Sequence, residues 1–369
     1  MPGSARPVPQ TPAAVRLRPA AAGTDGAAGP ADPFAALAAP VSVDGALRTA
    51  VEAAGDLRPG TGATTTLWEA LASLAARDLA AARAVEPHLD ALAILDQAGD
   101  VPLPAGLGAG SSWGVFAAEG PGATLTARPD GDGWTLDGEK PWCSLADRLD
   151  AALVTAPTAD GERGLFAVRL GDHARPVDRP WSARGLAEIP STPVQFDAAT
   201  ATRVADGSWY LDRPGFWWGG IGVAACWYGG AVGLARRVHA QAAARPDDRL
   251  LAMHLGALDE RLHAARTCLA DAAAQVDASG AATGGGRDPE PADARAVGRL
   301  LSRRVRAVVA RTCEDTLRIA AHALGPGPLT QEPEHAKRVA DLEVYVRQQH
   351  AERDDASLGA LLAGQDAPW

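Results

Sequence analysis

Three groups of residues in this 369-residue chain carry side chains able to do chemistry. The first is Trp142-Cys143-Ser144, entered through Lys140-Pro141. An indole is a flat apolar surface that can cover one face of another ring, and a hydroxyl two residues on can reach that ring's polar edge. With ten tryptophans in the chain, packing inside a β-domain is the competing use of Trp142. The second group is Phe216, Trp217, Trp218, Trp227 and Tyr228, interleaved with Gly219 and Gly220. These could wall an apolar pocket suited to a bulky, ring-bearing substrate, or pack a core between two layers. The third lies near the C-terminus, where Arg347 offers a cation for an anionic group and His350 a titratable imidazole. Both also suit a solvated, charged helix that continues into Glu352-Arg-Asp-Asp. The four cysteines, Cys143, Cys226, Cys268 and Cys313, are far apart in sequence and read as reduced, mostly buried thiols rather than a metal or redox pair.

Three kinds of element must position these groups. From about Asp32 to Gly99 the pattern is helical. Leu67, Leu71, Leu74 and Leu79 share roughly one face of a helix that Thr66 can cap, and a second helix is expected from His88 with Pro87 at its start. Between about 110 and 206, short β-branched or aromatic runs at 113–118, 134–138, 151–156, 164–170 and 192–197 are separated by Gly, Asp and Pro. Asp130-Gly-Asp-Gly is a hairpin signal, and the spacing predicts a small antiparallel barrel or sandwich. Helical periodicity returns at 229–244, 254–277, 293–324 and 334–362, which fits a bundle, with 278–291 as a Gly- and Pro-rich loop. The resulting division is a flexible tail at 1–31, a helical domain at 32–109, a central β-barrel domain at 110–210 and a helical bundle at 211–369.

The bulk numbers narrow the function classes. Hydrophobic residues make up 47% and charged residues 22%, as in ordinary globular proteins. A net charge of −10 argues against nucleic acid or an anionic membrane as the main partner. Lys140 and Lys337 are the only lysines, and the Ala-, Gly- and Arg-rich composition suggests a GC-rich bacterial source. No apolar run approaches the ~18 residues of a membrane span. The first 30 or so residues lack the compact apolar run of a signal peptide, so a cytoplasmic location is expected.

The residues of the β-region sharpen this. Ala117-Ala-Glu-Gly-Pro-Gly-Ala resembles the Thr-Glu-Pro-Gly-Ala-Gly loop of the acyl-CoA dehydrogenase superfamily. Asp132-Gly-Trp-Thr-Leu-Asp-Gly-Glu-Lys-Pro-Trp-Cys-Ser is similar to that family's Asp-Gly-x-x-Leu-x-Gly-x-Lys-x-Trp-x-Thr/Ser. The resemblance spans roughly Thr66 to Leu362 and implies an α+β fold: a helical N-terminal part, a central antiparallel β-domain and a C-terminal helical bundle. It implies FAD, with Phe116 and Ala118 in the loop beside the ring and Trp142 and Ser144 against it. Gly229-Gly-Ala-Val-Gly-Leu-Ala looks like the family's glycine-bearing first bundle helix. Gly325 and Gly327 occupy the turn that meets a neighbouring subunit's flavin, so the family implies a homodimer or homotetramer.

The match fails where the family keeps its base. Abstraction of a proton beside a thioester needs a positioned base, usually a carboxylate in this family. Counting from Arg338 places Arg347 at that position, and the family's alternative position falls near Val223. A guanidinium does not deprotonate in a protein. Three readings remain. Glu343, Glu352 or His350 replaces the base in an acyl-thioester oxidoreductase. Or the chain is a flavin monooxygenase with a separate reductase or electron-transfer partner, with His350 of interest. Or it is a scaffold without catalysis. The implied ligand is a small molecule, acyl-CoA included.

Overall fold

The computed structural model describes residues 13–18, 32–35, 37, 41–53, 57–108, 110–120, 122, 124–213, 215–279, 291–364 and 366–367. Three helices come first: α1 (Val43–Ala53), α2 (Thr64–Arg77) and α3 (Leu79–Ala98). One residue separates α2 from α3. Asp78 adopts an extended conformation, which stops α2, and its carboxylate accepts from the Ala81 N–H to cap α3. The helix expected from His88 therefore begins a good two turns earlier, and Pro87 lies inside it. The reason is burial. Proline removes one N–H from the ladder, but Val85, Glu86, His88 and Leu89 on either side are all buried and hold the helix through it.

Part of the expected tail is also packed. The Val15 N–H donates to Ser73 Oγ (2.8 Å), the Leu17 N–H donates to Glu69 Oε1 (2.8 Å), and Val15 and Leu17 are buried on α2. Alternating apolar residues in this strip cover α2, which the composition of the segment concealed. Residues 1–12 and 19–31 of the expected tail, and 280–290 of the expected loop, lie outside the described residues.

The sheet has seven strands: β1 (Trp113–Phe116), β2 (Thr126–Asp130), β3 (Gly133–Lys140), β4 (Ala151–Pro157), β5 (Arg163–Arg169), β6 (Ala174–Pro176) and β7 (Val194–Asp206). Their order is β1-β4-β5-β7-β3-β2, with β6 beside β7. All pairs are antiparallel except β1–β4, which is parallel with Trp113 opposite Ala151. The Asp130-Gly turn closes the β2–β3 hairpin as its sequence predicts. An isolated bridge between Ala127 and Thr158 brings β2 round to the end of β4, so the sheet curls back on itself. The α3 helix packs on it through Ala91, Ile94 and Ala98 against Trp113, Leu153 and Leu165. Buried His88 fixes the register of that contact by accepting the Trp113 N–H at Nδ1 (3.3 Å). Burial, then the Arg58 charge, holds His88 down to a pKa of about 4, hence neutral.

Behind α4 (Trp209–Asp212) the bundle comprises α5 (Phe216–Ala244), α6 (Arg249–Ala278), α7 (Ala292–Leu324), the short α8 (Gly327–Gln331), α9 (Pro333–Tyr345) and α10 (Glu352–Ala363). A 3-10 turn at Val346–Gln348 breaks the expected last helix into α9 and α10. No helix among the described residues is long and apolar enough to cross a membrane. Helix α5 crosses α2 at van der Waals contact of the two backbones. A Cβ on Gly229 would stand 2.2 Å from the Ala72 carbonyl oxygen, and one on Gly233 2.9 Å from that of Ala76. Only glycine tolerates such an approach.

Two α5 substitutions therefore act with opposite signs. Gly222→Ala meets nothing nearer than Trp68 Nε1 at 3.7 Å, so it stabilises by about 0.5–1 kcal/mol through helix propensity. Gly229→Ala must push the helices apart and destabilises by about 1–3 kcal/mol. Urea denaturation of the two variants beside the parent measures both.

Candidate functional site

The segment following β3 leaves the sheet abruptly. Trp142 and Leu145 take left-handed backbone conformations (φ 59° and 58°), costly for residues bearing a Cβ. Four contacts hold them there. The Cys143 and Leu145 N–H groups donate to the Thr192 and Pro190 carbonyls, and the Lys140 ammonium is buried against Glu119 Oε1 (3.2 Å) and the Thr155 carbonyl (2.8 Å). The outcome is an indole standing in solvent: Trp142 is 57% exposed, while the flanking Cys143 is buried. Burial pushes the Cys143 thiol up to about 12, which makes it inert. Gly120 of the preceding loop sits against this platform, since a Cβ there would lie 3.5 Å from Trp142 Nε1. In that loop Phe116 is buried in the core and Ala118 is exposed.

Beside the indole, Ser144 Oγ bonds Ser191 Oγ (2.8 Å) and accepts from Arg83 Nη2 (3.1 Å). Arg83 reaches it from α3. The same guanidinium lies 5.7 Å from the centre of the Tyr345 ring, which is buried and edge-on to Trp227. The Tyr345 hydroxyl has no hydrogen-bond partner among the described residues. Burial and the neighbouring Cys226 thiol raise its pKa well above that of an ordinary phenol.

One helical turn past Arg83 is Glu86. Its carboxyl is buried, and desolvation first, then the Asp90 charge, raises its pKa to about 8, against the opposing pull of Arg83 and Arg306. At neutral pH it is mainly protonated. It lines a pocket of about 510 Å³ between α3, α4, α5 and α7, with Tyr210, Phe216, Trp217 and Arg306 among its other walls. Sequence reasoning passed over Glu86, yet a signal existed: it shares the buried face of α3 with Leu79, Ala82, Val85 and Leu89, where a carboxyl is out of place.

The three pocket tryptophans separate. Trp217 lines the pocket, Trp218 is buried in the core, and Trp227 is wholly buried under the Arg306 guanidinium, 4.6 Å from its ring centre. The turn that presents Tyr345 inward carries Arg347 and His350 outward. Arg347 pairs with Glu314 on α7, and His350 is an exposed residue whose N–H donates to Asp354 Oδ2 (3.0 Å). Glu343 and Glu352 are exposed as well, and Val223 lies on the pocket wall. Gly325 caps α7 with φ 68°, and Gly327 begins α8, so both belong to the turn between these helices.

No family profile matches the chain, and no curated protein sequence matches it. Solved structures do. The dibenzothiophene monooxygenase TdsC from Paenibacillus sp. A11-2, solved with FMN, superposes with a TM-score of 0.72 at 15% identity over 88% of this chain and 91% of its own. KijD3, solved with FMN and dTDP-3-amino-2,3,6-trideoxy-4-keto-3-methyl-D-glucose, gives 0.69 at 18% identity over 87% and 83%. XiaF from Streptomyces sp., in complex with FADH2 and glycerol, gives 0.67 at 17% identity over 88% and 87%. Likeness at this level is likeness of fold, and it agrees with the motif ending at Ser144: the chain has the acyl-CoA dehydrogenase-like fold.

Proposed function

We propose that the chain is a flavin-dependent monooxygenase acting on a small, ring-bearing molecule, with reduced FAD or FMN supplied by a separate reductase. The observation that carries this reading is the buried Glu86 carboxyl lining a pocket, one helical turn from Arg83, which bonds Ser144. Oxidation of an acyl thioester needs an ionised base at neutral pH. Burial raises Glu86 to about 8, which favours giving a proton over taking one, and Glu343, Glu352 and His350 are exposed. The pocket volume suits a compact ligand. Support for the cofactor comes from the platform: an indole left in water on a strained backbone, with a hydroxyl pair at its edge, matches a flat ring with a polar rim. The neighbours TdsC and KijD3 were solved with FMN and XiaF with FADH2.

In this reading Trp142 covers one face of the ring. Ser144, fixed by Arg83 and Ser191, presents its hydroxyl to the ring's edge. When bound, the reduced flavin supplies the electrons that activate dioxygen. The protein's own residues do the rest. Phe216 and Trp217 orient the substrate, and Glu86 holds a proton at a carboxyl oxygen for delivery into the pocket. Gly325 and Gly327 are proposed to meet the flavin of a second subunit in a homodimer or homotetramer. Arg347 and His350 are assigned to the outer rim rather than to the reacting atoms.

The deciding experiment mixes the protein with photoreduced FMN or FAD and then with air, using indole, found with TdsC, as the first probe. Gain of one oxygen atom by the probe supports the assignment. Anaerobic bleaching of bound oxidised flavin by acyl-CoA esters overturns it in favour of thioester oxidation.

Two variants test the parts. Trp142→Ala weakens reduced-flavin binding about tenfold, the value of a lost ring contact, as read by fluorescence titration. Glu86→Gln has two readouts. Unfolded, this carboxyl titrates near 4.5; folded, near 8. Between those values the folded state binds the extra proton, so stability falls as pH rises. Removing the group raises stability most at and above pH 8, on the order of 4 kcal/mol, and least below about pH 5. The variant's turnover also loses the decline above about pH 8 that the parent shows.

A further inference from the structure

The pocket beside Glu86 contains a guanidinium, Arg306, that bonds no carboxylate among the described residues. Arg306 is buried. Its Nη1 donates to the Gly220 carbonyl (2.7 Å) and its Nη2 to the Gln348 carbonyl (2.9 Å), both neutral acceptors. The nearby carboxylates are engaged elsewhere: Asp354 bonds Arg303, and Asp90 bonds Arg213 (3.2 Å). Glu86 keeps its proton at neutral pH. Burial, without a bonded counter-charge, depresses even the Arg306 guanidinium, to about 10. Arg213, 1% exposed, and Arg303 line the same pocket, and the Nε–H of each is buried without a hydrogen-bond partner. A guanidinium offers five donors, and an unfilled buried donor costs stability. Trp217 stands at the same wall with the Arg299 guanidinium 5.9 Å from its ring centre.

We propose that this pocket seats an oxyanion of the substrate, a carboxylate or a phosphate, on Arg306, with Arg213 and Arg303 completing the donor set and Trp217 facing the substrate's ring. The proposal deepens the monooxygenase reading by naming the substrate's charge, and its test needs no turnover. An arginine forms forked, charge-assisted bonds to such groups that it cannot form to an amide. An anion here also favours the protonated form of Glu86. Facing that carboxyl are Arg83 and Asp90 on its own helix, Tyr210 on α4, Cys226 on α5, Arg306 on α7 and Tyr345 on α9. Binding is therefore tighter below the Glu86 pKa than above it, and takes up protons near that pKa.

The test is calorimetric titration of the full chain, with and without FMN, using three probes that share one ring: naphthoate, naphthyl phosphate and naphthamide. The expected result is that at least one anion binds about tenfold more tightly than the amide, with proton uptake detected by comparing buffers. The better anion identifies the source. In Arg306→Gln the preference falls below about twofold, and Arg306→Lys retains part of it. If Arg306→Gln fails to fold, the probe series on the parent and Arg306→Lys still decides. Equal or tighter binding of the amide, or no saturable binding of either anion at neutral pH, overturns the proposal. Either result leaves the monooxygenase assignment to stand or fall on oxygen transfer alone.

Discussion

Helices α2 and α5 meet with no side chain between them at Gly229 and Ala72, and the rest of the site is built outward from that contact. Two backbones in van der Waals contact have little freedom to slide, because interiors pack densely and do not deform continuously. Helix α3 follows α2 after the single residue Asp78, so its direction is set by the same contact. Lys337 on α9 bonds that aspartate (3.0 Å) and Asp341 (2.7 Å), while Asp341 accepts the Leu186 N–H from the β-domain (2.6 Å). Bundle, N-terminal helices and sheet are thus tied at one corner. The helix that carries Arg83, Glu86 and Asp90 has no independent way to move.

Along α3 the residues facing the site differ in their surroundings. Arg83 reaches the hydroxyl pair at Ser144. Glu86, one turn deeper, is buried, and desolvation raises its pKa. Asp90, one turn further, remains beside Arg213. The helix is in effect a graded path from the indole platform to the pocket. Its polarity is fixed by burial rather than by any one strong bond.

Much of this was legible in the sequence. The order of helices, strands and helices followed from periodicity, and Lys140-Pro-Trp142 with Ser144 pointed to the fold. What was not legible depended on tertiary context. Pro87 reads as a boundary because its local cost is visible and the burial that offsets it is not. The edge strands β2 and β6 have little apolar alternation, and β6 exists only because β7 runs on for 13 residues. The aromatic run of α5 reads as one pocket wall, but helical geometry sends Trp217, Trp218 and Trp227 to different neighbours. The base positions that the resemblance implies lie on the C-terminal segment and the first bundle helix. The perturbed carboxyl was on α3, recognisable by its place among apolar residues rather than by any motif.

The conformation of Trp142 has a spectroscopic consequence. Among the described residues it is the one indole classed as exposed, whereas Trp68, Trp113 and Trp227 are sealed in the core. A collisional quencher in solution meets Trp142 before it meets the others. The strained turn that lifts this ring out of the sheet has given the protein a built-in dye at the place where a flat ligand would lie, and its accessibility reports directly on whether that place is covered.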